Sequence, residues 1–141
     1  MNLKLLTKED YIIAQKLYCE SFNKKETNIS IPLLGEIIGL YLKNELIGIA
    51  QIDYLNNLFE NKKQAIINSF CIKKEYRNKG YGNYLLNGCI NYLKEKNIKE
   101  ITITSNKNRI YAHKLYKKNN FQIIDTIFLK KDLNEKKSTA I

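Results

Sequence analysis

Ile66-Ile67-Asn68-Ser69-Phe70-Cys71-Ile72 is followed, four residues on, by Arg77-Asn78-Lys79-Gly80-Tyr81-Gly82. The first seven residues belong to an apolar run from Gln64 to Ile72 with the length and composition of a strand. From Gly80 to Lys96 the apolar positions change to helical spacing: Tyr84, Leu85, Gly88, Cys89, Tyr92 and Leu93. A strand therefore feeds a glycine-bearing turn that opens a helix. The first amides of a helix have no internal acceptor and point outward. With the helix dipole they suit an anion such as a pyrophosphate. Glycine allows positive φ and close ligand approach, and Lys73, Lys74, Arg77 and Lys79 add positive charge. The same residues also fit a plain strand-to-helix turn with solvated lysines. The spacing is neither GxGxxG nor GxxxxGK[ST], which argues against dinucleotide and P-loop sites.

Downstream, Glu100 to Thr104 alternates Ile101 and Ile103 with Thr102 and Thr104, a strand. The strand-helix-strand unit from Gln64 to Thr104 calls for a parallel, right-handed crossover. Asn106 or Asn108 can cap a last helix to Lys118, on which Arg109, Ala112 and Tyr116 share one stripe. His113 is read as a capping or surface histidine. Phe121 to Leu133 is a final strand, or a tight hairpin broken near Asp125-Thr126. Upstream, Asn2 to Leu6 is a short strand. Thr7 caps a helix from Lys8 to Phe22, with Glu9 and Asp10 in its first turn. Asn23 to Leu34, which contains Pro32, is a loop or a short helix. Glu36 to Leu42 and Leu46 to Leu55 form a hairpin about Lys43-Asn44-Glu45. The expected fold is α/β: a mixed, mostly antiparallel central sheet of 6–7 strands flanked by helices.

The 141 residues make one domain, with a core large enough to need no metal or disulfide staple. Cys19, Cys71 and Cys89 are odd in number and widely spaced, and with one histidine they form no zinc ligand set. They read as free thiols of a reducing compartment. No apolar run approaches the roughly 18 residues of a membrane span, and Met1 to Thr7 carries no secretion signal. A cytoplasmic protein without a membrane partner is expected. The net charge of +10 invites nucleic acid, but Lys outnumbers Arg by 22 to 2. Arg is the residue of choice for bidentate base and phosphate contacts. The abundance of Lys, Ile and Asn fits A- and T-rich codons, hence a bacterial source. The charge better suits an anionic small ligand than nucleic acid.

The strand and turn from Ile66 to Gly82 resemble motif A of the GNAT N-acetyltransferases, an apolar strand followed by R/Q-x-x-G-x-G/A. Ala112, Leu115-Tyr116 and Phe121 resemble motif B, in a variant similar to a bacterial subgroup with R-x-x-A-H-x-F-Y. The likeness spans essentially the whole chain and is strongest from Gln64 to Phe121. It implies a single N-acetyltransferase domain over residues 1–141, using acetyl-CoA as co-substrate and no metal. Backbone groups of Phe70, Cys71 and Ile72 would hold the pantetheine arm, with the Phe70 amide polarising the thioester carbonyl. Amides of Asn78, Lys79, Gly80, Tyr81 and Gly82 would hold the pyrophosphate, with Arg77 beside them as a cofactor-binding cation. Asn106 and Asn108 lie near the usual CoA-contacting asparagine, although Arg109 is the best-aligned position, and Ala112 allows close approach. Tyr116 matches the tyrosine near the CoA sulfur and would hydrogen-bond or protonate the leaving thiolate. Cys71 is a strand residue rather than a nucleophile.

Departures from the family pattern matter as well. Asn68 and Thr104 stand where many relatives carry a glutamate base, which leaves a water chain, Glu26, Glu36 or no dedicated base at all. Asn120 replaces the glycine before Phe121. The short final hairpin leaves the acceptor cleft open or completed by a homodimer. The implied reaction is direct transfer of acetyl to the amine of a small-molecule or peptide acceptor. A non-catalytic acyl-CoA sensor and a basic RNA-associated protein are the alternatives.

Overall fold

A computed structural model describes residues 1–134 of the chain. Its elements are β1 (Asn2–Leu5), a 3-10 turn (Lys8–Asp10), α1 (Tyr11–Phe22), β2 (Glu36–Leu42), β3 (Glu45–Tyr54) and β4 (Gln64–Ile72). A second 3-10 turn (Lys74–Tyr76), α2 (Tyr81–Glu95), β5 (Glu100–Ile103) and α3 (Ile110–Lys118) follow. The sheet runs β1-β2-β3-β4-β5. Every neighbouring pair is antiparallel except β4 and β5, which are parallel across the α2 crossover.

Local chemistry accounts for the joins. Lys43 and Asn44 both take positive φ, 48° and 66°, the geometry of a two-residue hairpin whose twist matches its strands. At the start of α1 the Thr7 amide donates to the Asp10 carboxylate at 2.9 Å, and the Tyr41 hydroxyl donates to the same carboxylate at 3.0 Å. Asn97, at φ 62°, turns the chain out of α2, with Ile98 N–H donating back to Leu93 O at 3.1 Å.

The sheet has a helix layer on each face. Leu85, Leu86, Cys89 and Leu93 of α2 and Tyr116 of α3 pack on Leu40, Ile47, Ile52 and Ile67. Ala14 and Leu17 of α1 pack on Leu6, Leu46, Ile49 and Cys71 of the opposite face. Each fully buried Leu or Ile contributes about 1.5–3 kcal/mol relative to exposure, so these two layers hold the sheet between them. All three cysteines are buried free thiols. Among the described residues no helix is long and apolar enough to cross a membrane.

Two sequence expectations need correction. Among the described residues the sheet has five strands, not six or seven. Phe121 to Leu133 forms neither strand nor hairpin, and its Ile123, Ile127, Phe128 and Leu129 are exposed. A strand is stable only when paired, and the backbone bond within the segment is local, from Thr126 N–H to Ile124 O. Asn23 to Leu34 is loop rather than helix. The basic C-terminal stretch lies partly outside the described residues.

The feature that positions the site is in β4. Ile49 pairs with Cys71 and Gln51 with Asn68, so Ala50 faces two residues, Ser69 and Phe70. Ser69 sits at φ 54°, the left-handed residue of a β-bulge. Pairing with β5 ends at Ile67–Ile103. The five residues from Asn68 to Ile72 therefore continue past β5 without a strand on that side, and a slot opens there.

Candidate active site

The turn after β4 is anchored at both ends. Arg77 Nε donates to Ile72 O at 2.8 Å, and its Nη2 donates to Ser21 Oγ of α1 at 3.4 Å. Asn78 takes φ 62° and Gly80 φ 88°. A Cβ on Gly80 would meet nothing within 4 Å, so glycine is required there by conformation and the space before it is open. A Cβ on Gly82 would lie 3.3 Å from Leu115 Cδ2, because α2 starts hard against α3. The helix ladder opens with Tyr84 N–H to Gly80 O at 3.1 Å. The amides of Tyr81, Gly82 and Asn83 thus have no intrahelical acceptor. Three of the cations around the turn have distinct settings. Lys73 is paired with Glu45 at 2.6 Å, Arg77 braces the loop, and Lys79 lies over the Tyr76 ring at 5.9 Å.

Beside the slot is a cleft of about 470 Å³. Asn68, Ser69 and Phe70 of β4 form one wall, and Thr104, Ser105, Asn106, Arg109 and Tyr116 form the other. Tyr18 and Phe22 of α1 close one end. Tyr116 is 7% exposed and meets the Phe70 ring edge-on at 5.9 Å, with Phe121 at 6.1 Å on its other side. Burial pushes its phenol up to about 12, against the opposing pull of the Arg109 guanidinium. The hydroxyl is therefore a protonated donor throughout the neutral range. Arg109 stacks over the Phe22 ring at 4.5 Å.

The structure thus brings Phe70, Asn106, Arg109 and Tyr116 to one cleft, with Arg77 to Gly82 at the adjoining helix terminus. Other expected residues lie elsewhere. The Cys71 side chain is buried under α1, and burial raises its thiol above the ordinary range despite Ser21, Arg109 and Arg77. Ile72 and Ala112 pack with the α2-side core. Asn108 does not line the cleft. It donates its amide to Asn106 Oδ1 at 2.9 Å, so the Asn106 side chain is occupied in capping the turn. His113 Nε2 lies 2.9 Å from Asn106 O, a local brace of the same turn.

Glu36 is excluded as a base. It faces α2, where it accepts from Tyr54 and Tyr92 and pairs with Lys96 at 3.3 Å. Glu26 lines neither this cleft nor its neighbour. The neighbouring cleft, about 310 Å³, lies under α1 and the loop before β2, and it shares Tyr18 and Ser69 with the first.

A carboxylate that sequence reasoning missed stands between the two clefts. Asp53 Oδ2 accepts from Asn68 Nδ2 at 2.8 Å and from Gln51 Nε2 at 3.5 Å. Asn68 lines the first cleft and Gln51 the second. Thr104 Oγ1 donates to Asn68 Oδ1 at 3.3 Å, which orients that amide. Gly35 makes room, since a Cβ there would lie 2.9 Å from Asp53 Oδ1 and overlap Ile52 O. Nothing in the local sequence marks Asp53; strand pairing alone carries it to Asn68.

Comparison with known proteins agrees with this geometry. The family described as "Acetyltransferase (GNAT) family" matches residues 6–121. A curated relative, "Probable spermine N(1)-acetyltransferase" of Bacillus subtilis subsp. natto, is 32% identical over 88 residues. That match covers 60% of this chain and 58% of the relative, so the chain matches little over half of the relative's length. Among solved structures, an aminoglycoside acetyltransferase from an uncultured soil metagenomic sample, in complex with sisomicin, superposes with a TM-score of 0.74 at 20% identity, covering 92% of this chain and 96% of that one. A ribosomal-protein-alanine N-acetyltransferase from Brucella melitensis biovar Abortus gives 0.80 at 12% identity, covering 93% and 98%. At such identities the likeness is one of fold.

Proposed function

The chain belongs to the GNAT acetyltransferase family, and from that premise we propose that it is an acetyl-CoA-dependent N-acetyltransferase acting on the amine of a small-molecule or peptide acceptor. The observation that carries the reading is the slot past Ile67–Ile103, with a left-handed glycine and three unpartnered helix amides at one end and Tyr116 in its wall. Those amides and Lys79 bind the pyrophosphate, and the open space before Gly80 admits it. Arg77 acts by positioning the turn.

In the reaction the acceptor nitrogen attacks the thioester carbonyl carbon directly. As the N–C bond forms, negative charge moves to the carbonyl oxygen, where the Phe70 amide stabilises it. The C–S bond then breaks, and Tyr116 gives its phenolic proton to the departing thiolate. Burial keeps the phenol neutral through the neutral range, so its proton is in place when the thiolate forms.

An alkyl ammonium has an ordinary pKa near 10 and must lose a proton before it attacks. Asp53 takes it. Among the described residues it is the carboxylate hydrogen-bonded to the lining of both clefts. Replacing Asp53 by Asn should lower kcat about 100-fold at neutral pH. Activity should return as pH approaches the amine's own pKa, with acetyl-CoA affinity unchanged. A variant with the wild-type pH profile removes Asp53 from the chemistry.

The cofactor half is tested by thermal shift with acetyl-CoA, CoA and AMP. Ligand at 100 times Kd adds about 2.7 kcal/mol, several degrees for a domain of this size. No shift from acetyl-CoA or CoA with folded protein overturns the reading. A shift without transfer to any amine leaves an acyl-CoA-binding module.

A further inference from the structure

The second cleft, under α1 and the loop before β2, has an unusual lining for a basic protein. Tyr11, Tyr18, Ile31, Pro32, Leu33 and Ile49 supply its walls, and no lining residue carries a charge of either sign. Its polar side chains besides the tyrosines are Gln51 and Ser69 at the sheet and Gln15 of α1, whose amide is taken up by Thr27 Oγ1 at 3.0 Å. Ser69 is also where this cleft meets the one holding Tyr116. Among the described residues the carboxylate hydrogen-bonded to the lining is Asp53, one side chain behind Gln51. The volume of about 310 Å³ is at the small end of ligand pockets. At the mouth, Ile31 is 80% exposed, so apolar surface continues outward from the cleft.

A molecule that fits these groups has one basic nitrogen and an apolar remainder. Its nitrogen sits at the Ser69–Gln51 end, where Asp53 offers a single negative charge, and its body lies among the tyrosines, isoleucines and proline. An additional ammonium group would enter an apolar wall without a counter-charge, at a cost that grows with each charge buried. The chain's net charge of +10 adds repulsion at longer range.

Resting on the transferase reading above, we infer that the acceptor is a small aliphatic or aromatic monoamine rather than a polyamine or an aminoglycoside. This sets the chain apart in substrate class from the spermine acetyltransferase it partly matches.

The test measures thiol release from acetyl-CoA with phenethylamine, isoamylamine, spermidine and kanamycin, alongside the acetyl-CoA thermal shift. A kcat/KM for a monoamine at least about 10-fold above that for spermidine supports the inference, since discrimination in apolar pockets is of this order. Ile31→Glu, at an exposed position, should lower monoamine kcat/KM about 10-fold by placing a charge where the body lies, and leave the acetyl-CoA shift unchanged. Spermidine or kanamycin as the best acceptor overturns the inference while the transferase reading stands. Failure of both monoamines with the acetyl-CoA shift intact overturns it as well. Loss of the shift itself overturns the transferase reading and the inference with it.

Discussion

At the scale of single residues, the proposed reaction assigns its two proton transfers to Tyr116 and Asp53, whose surroundings differ. Tyr116 is buried against Phe70 and Phe121, and burial pushes its phenol up to about 12. Tyr116→Phe keeps the ring packing and removes only the hydroxyl. It should lower kcat about 100-fold with KM for acetyl-CoA little changed, a split that steady-state kinetics resolves. An unchanged kcat would reduce Tyr116 to a packing role. Of these two groups only Tyr116 was legible in the sequence, because it stands in a local motif with Ala112 and Phe121. Asp53 gains its role from a partner fifteen residues away, across a strand pair whose register a bulge has shifted.

At the scale of elements, the α2 terminus separates two uses of glycine. Gly80 is needed for its backbone angle and has open space around it, whereas Gly82 is needed because α3 lies against it. Gly80→Val should cost about 1–2 kcal/mol through left-handed strain and also weaken acetyl-CoA binding by obstructing the approach. Gly82→Val should act first on packing, pushing Leu115 and with it the helix that bears Tyr116. Comparing melting temperature with acetyl-CoA affinity for the two variants distinguishes these effects. Gly80 should show the larger affinity loss per degree of destabilisation. Both glycines were visible in the sequence as a turn motif, but they read there as equivalent.

At the scale of the whole molecule, the acid side of the stability profile depends on carboxylates that tie layers together. Glu36 joins β2 to Tyr54 of β3, to Tyr92 of α2 and to Lys96 at the C-cap of that helix. Burial alone would raise its pKa, but the donors outweigh burial and hold it below 4.5. Asp10, held mainly by the Thr7 amide, is likewise lowered below 3.8. A carboxylate lowered on folding stabilises the native state above its unfolded pKa and loses that contribution as pH falls through the folded value. Melting temperature should therefore be level from about pH 6 to 7 and fall below about pH 4.5. Glu36→Gln should cost roughly 1 kcal/mol at pH 7, a few degrees, and the gap from wild type should narrow as the pH drops. A gap that stays constant with pH would show that the charge on Glu36 contributes nothing.

Across these scales, the amino-acid sequence by itself determined what is written in short range. Alternation and helical period identified β1 to β5 and the three helices. The Lys43-Asn44 turn announced its hairpin, and the run from Gln64 to Gly82 announced a strand feeding a glycine turn that opens a helix. Periodicity and turn chemistry act over a few residues, so they survive in the linear text. The tertiary structure alone decided the rest. It left Phe121 to Leu133 unpaired, turned Glu36 toward α2, set the bulge at Ser69, and joined two clefts at Tyr18 and Ser69 with Asp53 behind them. Each of these depends on which strand lies beside which and in what register, and register is a property of packing that no local stretch of sequence contains.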